Sequence, residues 1–174
     1  MQIVALGALC TVSATGGWGW ILARGLRQRP DELAAAQAAL SILRTEIAYG
    51  RTPLAEALAR SGRGVSPAVR RLFAGTAERL AAGGGWSPAE AWEGALAEAD
   101  GLSAWTREDI AELARLGGAL GRSGVADQVR HIAVCAERLR LAEQRARNGM
   151  ERRARMWLYL GVLAGAGLAL TAAR

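Results

Sequence analysis

The stretch 151–174, ERRARMWLYLGVLAGAGLALTAAR, decides how the chain is read. Arg152, Arg153 and Arg155 stand directly against eighteen uncharged residues, Met156 to Ala173. The start of the chain mirrors it: twenty-three uncharged residues precede Arg24, Arg27 and Arg29. At about 1.5 Å rise per residue, the two runs reach roughly 27 and 35 Å, against a bilayer core of about 30 Å. Both are therefore expected to cross a membrane as helices, over 1–23 and 156–173. No basic residue precedes the first run, which argues for a retained anchor over a cleaved leader.

Arginines beside a span stay on the cytoplasmic side. Both clusters face the middle of the chain, so 31–151 is expected to be a cytoplasmic domain. Residues 24–30 read as a basic juxtamembrane linker, and both termini lie outside the cytoplasm. Trp18, Trp20, Trp157 and Tyr159 sit near the basic ends, at the headgroup level that amphipathic rings prefer. Gly161 and Gly165 form a GxxxG spacing suited to close helix packing within the membrane.

The charge distribution agrees. The net charge is +6, yet 31–151 holds fifteen arginines against all sixteen acids. The excess positive charge belongs to the ends of the apolar runs, and a nucleic-acid-binding body is not expected.

Between the runs the punctuation is helical. Thr52-Pro53, Ser66-Pro67 and Ser87-Pro88 each set a hydroxyl cap before a proline at the first helical position. Ser87 with Glu90, and less perfectly Thr106 with Asp109, spell capping boxes. Gly50, Ser61 to Gly64, Gly83 to Gly85, Gly101 and Gly124 are the stops. Leu33, Ala36, Leu40, Leu43 and Ile47 make one apolar seam. Ile110, Leu113, Leu116 and Leu120 make a second, and Val125, Val129, Ile132, Ala136 and Leu139 a third. The last helix is expected to run from about Val125 into the second span, with Asn148-Gly149 a candidate kink point. Trp86, Trp92 and Trp105 are expected to fill a small core, with an interface role the alternative for one of them. The fold class is all-α: a membrane-anchored cytoplasmic bundle of about six helices flanked by two transmembrane helices.

No catalytic constellation stands out. His131 and Cys135 share a helix at i, i+4, but no further ligand stands nearby for a metal, and no base is apparent to activate Cys135. The chain has no lysine, hence no phosphate-loop lysine. Neither enzyme activity nor a cofactor is expected. Cys10 and Cys135 are not assigned a disulfide.

These residues resemble the stage III sporulation protein AB family of endospore-forming bacteria. The resemblance rests on Arg29-Pro30, on LSILRTEIAYGRTPLAEAL (40–58), on Ser87 followed by Ala91-Trp92, on LGGALGRSG (116–124), and on Gln128 with His131-Ile132. The family places an aspartate where this chain has Gly124, and Asp127 is the candidate substitute. The resemblance implies a component of the channel complex between mother cell and forespore, in the mother-cell membrane surrounding the forespore. That family looks like a reduced relative of the type II secretion inner-membrane platform protein, whose cytoplasmic domains are six-helix bundles. By the same analogy the partners are other channel subunits, including a secretion-type ATPase, with the lipid bilayer and a second copy of the chain as further contacts. Glu46, Tyr49, Gln128 and His131 are the candidate partner-binding residues. The alternatives are a platform of type II secretion or type IV pilus systems, and a lipid-surface or nucleic-acid binder built on Arg138, Arg140, Arg145, Arg147, Arg152, Arg153 and Arg155.

Overall fold

The structure, a computed structural model, describes residues 28–50, 52–99, 104–122 and 124–172, with side chains through 150 and at Arg152. Among them are six helices and no strand. Helix α1 covers 28–49, α2 Leu54–Ser61, α3 Pro67–Ala81, α4 Pro88–Ala97, α5 Arg107–Ala119 and α6 Val125–Ala172. The chain divides into a helical body, Arg29–Gln144, and a second unit made of the two terminal stretches.

The first apolar run lies outside the described residues. The second is described only in its backbone, which is helical through Ala172, so the side chains of Gly161-Val-Leu-Ala-Gly165 lie outside as well. Among the described residues no helix is long and apolar enough to cross a membrane. α6 passes through Asn148-Gly149, the candidate kink point, without a break in the helix. One glycine costs only about 1 kcal/mol in a helix, too little to break one this long.

In the body, each apolar seam turns inward. Leu33, Leu40, Leu43, Leu113, Ile132 and Leu139 are fully buried. Consecutive helices pack in turn, α2 on α3, α3 on α4 and α4 on α5. Trp92 is the centre of this core. Its ring stands edge-on to Phe73, with centroids 5.4 Å apart, and its indole N–H donates to the Leu113 carbonyl at 2.8 Å. The ring lies against Gly117, where a Cβ would come within 2.4 Å of Trp92 Cδ1. Gly121 is the second such seat: its φ is +71°, and a Cβ there would stand 2.4 Å from Pro88 Cγ. LGGALGRSG and Ser87…Trp92 are thus two halves of one packing contact between α4 and α5.

Helix α1 and helix α6 run antiparallel. Gln37 donates to Glu143 at 2.7 Å, and Leu40, Ser41 and Arg44 line a groove with Ile132, Ala133 and Ala136. The α2–α3 turn is tied to the first turn of α1, where the Ser66 hydroxyl donates to Glu32. The start of α5 is tied there too. Arg29 Nε donates to Asp109 Oδ2 at 2.9 Å and Arg29 Nη2 to Asp109 Oδ1 at 3.2 Å.

Two expected caps are differently made. α2 begins one residue later than the Thr52-Pro53 pair implied, so Pro53 takes the N-cap position without a side-chain cap, and the Thr52 hydroxyl donates to Glu46 at 3.0 Å. Ser66 holds the N-cap position of α3, but its hydroxyl accepts from no backbone N–H and donates to Glu32. The boxes at Ser87/Glu90 and Thr106/Asp109 are both complete. Trp92 and Trp105 are buried as expected, but Trp86 is 49% exposed, since it lies in the α3–α4 connection outside any helical seam. Val125 is 54% exposed, being the first residue of α6, ahead of the seam it was read into.

Candidate docking end

Antiparallel pairing of α1 with α6 fixes where the four candidate residues fall. Carrying the register from Gln37–Glu143 through the shared groove places the α1 terminus, with Glu46 and Tyr49, beside the first turns of α6, with Gln128 and His131. All four belong to one end of the body. The α4 start and the α5–α6 turn meet at that end as well, through Pro88 on Gly121. The other end holds Arg29 and Glu143, where the chain enters and leaves the body.

The four differ in how they are held. Glu46 accepts from Thr52 at 3.0 Å and from Arg60 at 3.5 Å, so its carboxylate fastens α1 to α2. Tyr49 is 85% exposed. His131 is 48% exposed, with Nε2 3.5 Å from Asp127 Oδ2; Arg130 donates to the other oxygen of Asp127 at 2.7 Å. Gln128 is half-buried and engaged in the first turns of α6.

Two further residues join them. Trp86 and Val125 are exposed at the same end, so three of the body's most exposed large apolar side chains, Tyr49, Trp86 and Val125, share it. Sequence alone hid both. Trp86 could have been suspected from its place between a triple glycine and a capping serine, where no helical neighbour covers it.

Cys135 is buried, and its thiol donates to the Glu112 carbonyl at 3.8 Å. Burial first, and the Glu112 carboxylate second, push that thiol up to about 12, so it stays protonated at neutral pH. Among the described residues no group of three or more metal-ligating side chains assembles.

Comparison with known proteins accounts for this architecture. The sequence pattern of the stage III sporulation protein AB family matches residues 4–171. Stage III sporulation protein AB of Bacillus subtilis (strain 168) is 30% identical over 160 residues, 92% of this chain and 93% of that protein. A solved structure of stage III sporulation protein AB (SpoIIIAB) superposes with a TM-score of 0.66 at 27% identity, covering 72% of this chain and 98% of the solved one. A match that runs through both apolar ends and the helical body alike means that the chain belongs to the stage III sporulation protein AB family.

Proposed function

We propose that the protein is a non-enzymatic membrane platform of the sporulation channel complex. In this reading 1–23 and 156–173 cross the mother-cell membrane around the forespore and both termini lie outside the cytoplasm. The body docks other channel subunits there, among them a secretion-type motor ATPase. One observation carries the docking: Tyr49, Trp86 and Val125 are exposed together at the end away from Arg29 and Glu143. Tyrosine and tryptophan are the residues most enriched at the energetic centre of interfaces. Gln128 and His131 supply polar contacts around them. Glu46 serves indirectly, by fixing the α1–α2 corner that presents Tyr49. Gly161 and Gly165 pack the second span against the first, or against a second copy of the chain.

Two of the arginines on which a lipid-surface or nucleic-acid binder would be built are already paired: Arg138 is held by Glu112 at 2.9 Å and Arg140 by Glu137 at 2.7 Å.

Reconstitute the full chain in lipid nanodiscs and measure its binding to the purified ATPase of the complex. Tyr49→Ala and Trp86→Ala should each weaken binding at least about tenfold with unchanged thermal unfolding. Arg70→Ala, on the exposed face of α3, should leave it as it is. Equal binding by all of them would remove the docking end from consideration.

A further inference from the structure

Along the seam between α1 and α6 runs a groove of about 220 Å³. Its floor is apolar: Ala133 and Ala136, half-buried, face it, with the fully buried Leu40 and Ile132 directly beneath. Its rim is polar, and most of that rim is already engaged. Gln37 donates to the Leu33 carbonyl at 3.1 Å and to Glu143 at 2.7 Å. Arg140 and Glu137 form a two-bond pair at 2.8 and 2.7 Å and neutralise each other. Arg44 and Ser41 are exposed on the rim, and among the described residues neither side chain has a hydrogen-bond or ionic partner.

We propose that this groove receives a side-chain carboxylate from an apolar segment of a partner protein, with Arg44 as its counter-ion and the Ser41 hydroxyl as a second donor. Three features select this occupant. Pockets for small ligands run to about 300–1,000 Å³, so the groove admits one or two side chains and excludes a bulky cofactor. The apolar floor favours a segment that carries aliphatic groups beside its acid. A single available guanidinium matches a single carboxylate; a phosphate group would leave oxygens without donors over that floor. The groove lies on the flank of the body, so it is a contact separate from the exposed end, and either can fail without the other.

The test uses the full chain in nanodiscs with its leucine and isoleucine methyls labelled for NMR, titrated with N-acetyl-leucyl-glutamate. The Leu40 and Ile132 methyls should shift and saturate, with roughly millimolar affinity. N-acetyl-leucyl-glutamine should bind at least about tenfold more weakly, since the charge-assisted bond is lost. Arg44→Gln should weaken the acidic probe by a similar factor. Ala136→Leu, which fills the floor and leaves Arg44 in place, should abolish the shifts. Four outcomes overturn the proposal: no saturable shift, equal binding of the amide, an unaffected Arg44→Gln variant, or inorganic phosphate shifting the same methyls as strongly.

Discussion

Among the described residues Asp109 is the one charged side chain that is buried. It is 3% exposed, closes the capping box at the head of α5, and accepts two bonds from Arg29. Burial on its own would raise the carboxyl. The bonds from Arg29 and from the Thr106 backbone and hydroxyl together outweigh it, leaving the group below its ordinary range. A carboxyl depressed on folding contributes stability in full above its unfolded value and loses it as pH falls towards the folded one. Asp109→Ala should therefore cost about 3 kcal/mol at neutral pH, the order expected when one member of a buried pair is removed. Urea unfolding at stepped pH should show the gap between wild type and variant constant down to about pH 4 and closing below it. A gap independent of pH would mean that the ion pair contributes nothing and only packing was lost. The same residue marks the limit of sequence reading. Its cap was legible because Thr106 is three positions away; its partner Arg29 is eighty positions away, read as a membrane-flanking charge and a mark of the family, and nothing in the sequence joined it to Asp109.

Helices were legible where they depend on neighbours in sequence. The seam of α1 from Leu33 to Leu43 and the box at Ser87 are local patterns, and both formed as read. Thr52 and Ser66 had the right chemistry for caps, but neither hydroxyl accepts from the helix backbone; each donates to a carboxylate, Glu46 in one case and Glu32 of α1 in the other. Adjacent glycines in α5 show the same division between local and tertiary demands. Both sit inside a helix, where glycine is less stable than alanine by about 1 kcal/mol. At Gly118 nothing lies within 4 Å of an added Cβ, whereas at Gly117 the methyl would enter the Trp92 ring. Gly118→Ala should thus stabilise the body by up to about 1 kcal/mol. Gly117→Ala should destabilise it by about 1–3 kcal/mol, the range for overpacked cores. Denaturant midpoints would read both signs. If the two changes moved together, the contact between Trp92 and α5 would not be the close one described.

At the scale of the whole molecule, the body's two connections decide how a platform could work. Because α1 and α6 are antiparallel, Arg29 and Glu143 fall at one end, and Tyr49, Trp86 and Val125 at the other. We propose that both connections lead into membrane spans, with the body held between them on one side of the bilayer. That arrangement requires both apolar runs to cross in opposite directions, which single-cysteine labelling can test in intact non-sporulating cells that carry the protein in their plasma membrane. Cys10 and Cys135 are first replaced by serine and alanine, the latter suited to a buried position. A cysteine introduced at Ala173 should then react with a membrane-impermeant maleimide added outside the membrane, as should one at Gln2. A cysteine at Tyr49 should react only after permeabilisation. Labelling of Ala173→Cys only after permeabilisation would put the carboxyl end in the cytoplasm. The second run would then not cross, and the body would be tethered by the first apolar run alone.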